Sequence, residues 1–294
     1  MGFLRQFVFL SLIGICFLTA CKNNKISNDI YDSITQVEAF TSEIANRDLS
    51  FHIYLPEQYD KSKNYPVLYL LHGHGGHDDD WFSLEEGLVK TILDSLFLDN
   101  KIPEVIAVSL NADNTWYIDA QVPMETIYMK EFMPFIESVY LDQTNKPLRV
   151  LAGNSAGGYG ALRFGLIYPE IFDKVILLSP AAYYPSPPEI SSSRKIDPFK
   201  MNGKFNDSIW KSYSYVNLLQ LENSELSDSN FYLSTGDDDV YGILEVVSQI
   251  DKRFKSFEIP LETTVINGGH SWDVWRNRFA FDLVRIFNAL ENND

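Results

Sequence analysis

Short apolar runs recur along the chain at Phe51–Leu55, Val67–Leu71, Val105–Ser109, Leu148–Ala152, Val175–Leu178, Phe231–Ser234 and Thr263–Ile266, and helix-like segments separate them. Continuous apolar runs of this length predict strands buried on both faces. Their alternation with helices predicts an α/β fold: a mostly parallel central sheet with helices on both faces. Upstream of Pro56, the segment from Gln36 to Thr41 is expected to add antiparallel strands at one edge of that sheet. At the other end Trp272, Trp275, Phe279, Leu283, Ile286 and Leu290 fall at helical spacing, so the last helix should bury one stripe against the sheet. His52, inside the alternating segment Phe51-His52-Ile53-Tyr54-Leu55, reads as structural. The chain is long enough for one sizeable core, and no stretch of its composition suggests a linker to a second domain. Residues 31–294 are therefore expected to form one domain.

One turn in this pattern carries chemistry. Gly153-Asn154-Ser155-Ala156-Gly157 directly follows the run Leu148–Ala152 and directly precedes a helix-like segment bearing Ala161, Leu162, Phe164, Gly165 and Ile167, which Tyr168-Pro169 stops. A serine hydroxyl is a weak nucleophile at neutral pH and needs both a base and a backbone that holds its oxygen toward substrate. A tight strand-to-helix elbow provides the second requirement, and glycines two residues either side of the serine relieve its crowding. Ser155 is thus the candidate nucleophile.

Downstream of Ser155 the chain has a single histidine, His270, in the loop Gly268-Gly269-His270 between the strand-like Leu261–Ile266 and an amphipathic helix. It is the candidate base. Between them, after Phe231–Ser234, lies Thr235-Gly236-Asp237-Asp238-Asp239. A carboxylate there would accept the second imidazole N–H, fix the tautomer and stabilise the imidazolium. Asp239 is favoured, with Asp238 next and Asp237 still open. Backbone N–H groups must also meet the charge that develops on a substrate carbonyl oxygen. Ala156, just after the serine, should supply one; the glycine-rich His72-Gly73-His74-Gly75-Gly76, after Val67–Leu71, should supply the other.

Nucleophile, acid and histidine in this chain order resemble those of an α/β-hydrolase. The chain resembles, more closely, the esterase-D type of that fold, which includes feruloyl esterases and S-formylglutathione hydrolases, enterochelin esterases and mycolyltransferases. The resemblance rests on Tyr65-Pro66-Val67-Leu68-Tyr69-Leu70-Leu71-His72-Gly73, Trp81, Gly153 through Ala161, Tyr168-Pro169-Glu170-Ile171-Phe172 and Gly268-Gly269-His270-Ser271-Trp272, and spans most of the chain from about Val37. It implies an α/β-hydrolase fold and a serine carboxylic-ester hydrolase working through an acyl-enzyme. It assigns Ser155 as nucleophile, His270 as base, Asp239 as acid, and the backbone of His74 as second oxyanion donor. It implies neither metal nor organic cofactor. Family members often carry Met after the serine where this chain has Ala156, a change that bears on the acyl pocket.

His72, His74 and His77 near Asp78 also have the look of a binuclear-zinc hydrolase motif. That motif, however, places Asp immediately before its third histidine, where this chain has Gly76, and needs further ligands when only His270 remains downstream. Two other readings use the hydrolase scaffold differently: an acyltransferase sharing the same three residues, and a noncatalytic glycan-binding lipoprotein.

Substrate contacts are expected from the irregular stretch Ala181–Leu219, where Tyr183 and Trp210 are candidate ligands for sugar or phenolic rings, and from Trp116 after the strand ending near Ser109. The formal net charge of -16 argues against nucleic acid as a partner, since phosphates would be repelled. An ester of a small molecule or polysaccharide, acetyl or feruloyl, is the expected substrate.

At the N-terminus Arg5 precedes the apolar run Phe7–Leu18, too short to span a membrane comfortably, which ends in Leu18-Thr19-Ala20-Cys21. This resembles a bacterial lipobox, with residues 1–20 as signal peptide, Cys21 as the lipid attachment site and residues 21–30 as a polar tether. The other cysteine, Cys16, lies within the removed segment, so no disulfide is expected. The expected location is the bacterial cell envelope, lipid-anchored, with Lys22 compatible with an outer membrane or cell surface.

Overall fold

In the computed structural model every side chain of Val67–Leu71 is buried, Val67, Tyr69 and Leu71 in one apolar cluster and Leu68 and Leu70 in another. Successive side chains of a strand point to opposite faces, so a strand with no polar position must be covered on both. The structure describes residues 31–142, 144, 146–220, 226 and 230–291; the signal segment, Cys21 and the tether expected from the sequence lie outside them.

The strands run in chain order as β1 (Ile34–Ser42), β2 (Arg47–Leu55), β3 (Val67–Leu71), β4 (Ile106–Leu110), β5 (Arg149–Asn154), β6 (Lys174–Leu178), β7 (Lys200–Met201), β8 (Lys204–Phe205), β9 (Asn230–Gly236) and β10 (Leu261–Ile266). Eight of them form one sheet in the order β1-β2-β4-β3-β5-β6-β9-β10, and β7 and β8 pair separately. The six strands from β4 to β10 are mutually parallel, while β2 runs antiparallel to both β1 and β4. The antiparallel edge expected before Pro56 is β1 and β2. The β7–β8 pair, only two residues per strand, has no apolar run to announce it.

Among the described residues eight α-helices accompany the strands: α1 (Val89–Leu98), α2 (Met124–Ile127), α3 (Met133–Tyr140), α4 (Ala156–Ile167), α5 (Asp207–Ser212), α6 (Tyr215–Leu218), α7 (Ile243–Ser256) and α8 (Trp272–Glu291). A π-helical turn, Tyr128–Phe132, joins α2 to α3. Buried residues of α2, α3, α4 and α7 share one core with one face of the sheet. On the other face Val89 and Leu93 of α1 pack in a core with Val274, Trp275, Phe279, Leu283, Ile286 and Phe287 of α8. This is the α/β-hydrolase fold. Among the described residues no helix is long and apolar enough to cross a membrane.

Parallel strands place all their C-terminal ends on one edge, where loops from separate parts of the chain converge. The elbow after β5, the glycine loop after β3, the acid loop after β9 and the histidine loop after β10 all leave from that edge. Phe164 on α4 is fully buried and in ring contact with Tyr117, Tyr128 and Phe172. Phe164→Ala is expected to cost about 3–5 kcal/mol of stability, read as a lowered urea midpoint.

Candidate active site

Ser155 sits at φ 54°, ψ −112°, a conformation that non-glycine residues rarely adopt. It is held there by its neighbours: its N–H donates to the Leu178 carbonyl at 2.9 Å, and its own carbonyl accepts from Ala181 N–H at 2.9 Å and Tyr159 N–H at 3.0 Å. The turn is crowded enough that a Cβ on Gly153 would meet the Gly157 carbonyl. One on Gly157 would meet the carbonyls of Leu71 and His72.

The Ser155 hydroxyl donates to His270 Nε2 at 2.8 Å, and His270 Nδ1–H donates to Asp239 Oδ2 at 2.6 Å. The direction follows from chemistry, because a carboxylate can only accept, which leaves Nε2 as the lone-pair nitrogen facing the serine. The Asp239 side chain is shut off from solvent, and its other oxygen accepts the Tyr241 N–H at 3.0 Å. The His270 ring stands between Tyr241 and Trp275, with centroids 4.8 and 5.0 Å away.

The three adjacent aspartates have separate environments. Asp239 is turned inward to the imidazole, and Asp238 is exposed. Asp237, also exposed, accepts the Gly268 N–H at 2.9 Å and so ties the acid loop to the histidine loop. The Asp238 N–H donates to the Gly268 carbonyl at 2.9 Å, a second tie between the same loops. Their approach is so close that a Cβ on Gly236 would strike that carbonyl.

Ala156 is the first residue of α4, where an N–H has no intrahelical acceptor. The His74 N–H likewise has no acceptor among the described residues. The loop bearing His74 is fixed from beneath. His72 Nδ1–H donates to the Gly73 carbonyl at 2.8 Å, while His72 Nε2 accepts the Ala112 N–H at 3.0 Å. Asn114 Oδ1 takes the Gly75 N–H at 2.7 Å, and the Tyr117 hydroxyl donates to the His72 carbonyl at 3.2 Å. Burial pushes the His72 pKa below the ordinary histidine value, which keeps the ring neutral and able to accept at Nε2. With both nitrogens engaged by backbone, His72 has no free lone pair for a metal, and among the described residues no three His, Cys, Asp or Glu are grouped to hold one. The sequence marks His72, Asn114 and Tyr117 as supports of this loop only by their position after β3 and β4.

These groups open into a cleft of about 600 Å³ whose walls include His74, Asn154, Ser155, Tyr183, Tyr241, His270, Trp272 and Lys195. Tyr183 is mostly buried but reaches the cleft, with its hydroxyl donating to the Tyr241 carbonyl at 3.2 Å. Trp116 and Trp210, expected as substrate contacts, are corrected by the structure: both are buried and neither lines the cleft. They pack against Tyr159 and Phe199 in the core, Trp210 Nε1–H donating to the Tyr183 carbonyl at 3.0 Å and Trp116 Nε1–H to His74 Nδ1 at 3.5 Å. Aromatic rings buy more by leaving water than by waiting in it, and these two hold up the cleft wall from behind.

A serine on such an elbow, at the C-terminal edge of a sheet wound in this order, defines an α/β-hydrolase. Residues 42–286 match the family model described as "Putative esterase", and the chain belongs to that family. It is 30% identical over 168 residues to an endo-1,4-beta-xylanase/feruloyl esterase of Xylanibacter ruminicola, a match over 53% of this chain that spans only 23% of that protein's length. It is 28% identical to an acetyl esterase of Caldicellulosiruptor saccharolyticus, covering 74% of this chain and 82% of that one. Among solved structures, one described as a ferulic acid esterase superimposes with a TM-score of 0.75 at 26% identity, covering 88% of this chain and 99% of its own.

Gly157→Ala is expected to displace the elbow, lowering stability by roughly 1–3 kcal/mol. Because a shift of about 1 Å at a reacting atom is costly, labelling of Ser155 by a fluorophosphonate should slow on the order of 100-fold.

Proposed function

We propose that the chain hydrolyses carboxylic esters through a covalent acyl-enzyme on Ser155. The observation that carries this reading is the continuous line of hydrogen bonds from Ser155 through His270 to the enclosed Asp239, opening on a cleft. As Ser155 Oγ bonds to the ester carbonyl carbon, its proton passes to His270 Nε2. Asp239 keeps the imidazole in the required tautomer and stabilises the imidazolium. The oxyanion is met by the N–H groups of Ala156 and His74, which have no other acceptor among the described residues. Collapse breaks the bond to the alcohol oxygen, which takes the proton from His270; water then repeats the sequence and releases the acid.

The substrates we infer are short-chain or carbohydrate-linked esters, acetyl or feruloyl. The names of the similar proteins support this, as does a cleft that presents Tyr183, Tyr241 and Trp272 beside the serine, since aromatic faces suit phenolic and sugar rings. The motif Leu18-Thr19-Ala20-Cys21 supports a lipid-anchored protein of the bacterial cell envelope; Cys21→Ala should abolish incorporation of labelled palmitate and release the protein from membranes.

Ser155→Ala should keep its circular-dichroism spectrum and lose on the order of 10⁴-fold or more in turnover of a 4-nitrophenyl ester, with release of acetate or ferulate from polysaccharide as a second readout. Asp239→Asn should lose about 10³–10⁴-fold, whereas Asp238→Asn should stay close to the parent enzyme. Retained activity in Ser155→Ala would sink the serine reading. Product analysis with an added alcohol acceptor separates hydrolysis from acyl transfer.

A further inference from the structure

Lys195 is the only lysine or arginine among the described residues lining the cleft that contains Ser155. It closes a short 3₁₀ turn, Ser192–Lys195, within the irregular segment after β6. Its ammonium is exposed and has neither a hydrogen bond nor a carboxylate partner in the described structure. The cations around it are engaged: Arg194 pairs with Glu189 at 3.1 Å and Lys200 with Asp197 at 3.0 Å. The cleft also holds two carboxylates, Asp80 and Glu86, which follow His77 in the chain and form no ion pair with Lys195. Asp80 accepts the His77 N–H at 2.9 Å, and the charges acting on Glu86 are Asp80, Asp79 and Glu85. An acidic protein of net charge -16 has carboxylates to spare, and none of the described ones is placed on this ammonium.

Lys195 also belongs to a second, adjoining groove of about 290 Å³ whose polar walls include Asn114, Gln121 and Asp197. Both acids described in that groove already have a cation, Asp197 with Lys200 and Asp113 with Arg47 at 2.7 Å. Among the described residues Lys195 is the one that lines both cavities, so the charge at their junction is positive. Its field reaches the oxyanion loop: the His74 pKa is pushed down by burial first and by Lys195 next.

We infer that Lys195 is a specificity determinant that selects esters carrying a carboxylate near the scissile bond, such as those of acidic sugars or of dicarboxylic acyl groups. This rests on the ester-hydrolase reading of Ser155 and adds to it the charge of the substrate. An ammonium at a half-open wall gains modestly from one anion, because water screens the pair. Discrimination is differential, however, and a neutral ester forgoes the gain altogether.

The test compares kcat/KM within matched pairs at low ionic strength. On the acyl side the pair is the mono-4-nitrophenyl ester of adipic acid against 4-nitrophenyl hexanoate; on the alcohol side it is acetylated galacturonic acid against acetylated galactose. Lys195→Met should lower the anionic-to-neutral ratio roughly three- to tenfold in at least one pair, and Lys195→Glu should lower it further. Added salt should shrink the difference in ratio between the parent enzyme and Lys195→Met. A response in one pair alone tells which side of the ester carries the charge. An unchanged ratio in both pairs for both variants overturns the inference. Ser155→Ala, run in parallel, keeps the two readings apart: if it is inert while the ratios stay fixed, only the role of Lys195 falls.

Discussion

The site depends on a backbone held where backbones do not ordinarily rest. A non-glycine residue at the Ser155 torsion angles costs on the order of 1–3 kcal/mol, and it persists only if its surroundings over-determine it. Here they do so from three directions. The Leu178 carbonyl at the end of β6 takes the serine N–H, while Ala181 and Tyr159 bond its carbonyl. Beneath the turn, Gly157 lies against the Leu71 and His72 carbonyls so closely that no side chain would fit. The parallel pairing of β3, β5 and β6 sets all these contacts at once, so the elbow is a property of the sheet rather than of five residues.

The same economy joins the other loops. An enclosed carboxylate beside an imidazole is stable only when its lone pairs are used, and Asp239 uses both oxygens, one on His270 and one on the Tyr241 N–H. Asp237 contributes from outside by clasping Gly268, which brings the histidine loop to within one glycine of the acid loop. Adjacent carboxylates in one loop thereby act differently. One lies against the imidazole, one clamps the loops, and Asp238 remains in water. Identical chemistry is divided by direction alone.

Direction is also what limits reading this fold from its sequence. Strand positions were legible because Val67–Leu71 and Val175–Leu178 are unbroken apolar runs, and burial on both faces leaves no other use for them. The tight turn at Ser155 was legible because glycine spacing reports crowding directly. Whether Asp237, Asp238 or Asp239 faces inward was not, since composition is the same for all three and only the turn after Gly236 decides. Trp116 and Trp210 misled for a related reason. Each lies in a polar stretch that looks exposed, yet Trp116, at φ 56° in the loop after β4, and Trp210, on the six-residue helix α5, both bury their rings against Tyr159 and Phe199. Periodicity has nothing to say about a loop or a six-residue helix, because the core contacts of both come from distant elements rather than from a repeat of their own.

That buried aromatic cluster has a consequence for how the cleft is divided. The wall bearing Ser155, His270 and Asp239 descends from sheet edges and is pinned by backbone bonds, so it leaves little freedom to vary. The facing wall, from Ala181 to Lys195, is irregular but not loose: Trp210 anchors the Tyr183 carbonyl, and the Tyr183 hydroxyl anchors the Tyr241 carbonyl next to the acid loop. Rings packed from behind thus hold the segment in place without occupying the space in front of it. Side chains such as Ile190, Ser192 and Lys195 are then free to meet substrate while carrying none of the packing. A fold that separates support from contact in this way can change what it binds by single substitutions on the irregular wall, with the serine's geometry untouched.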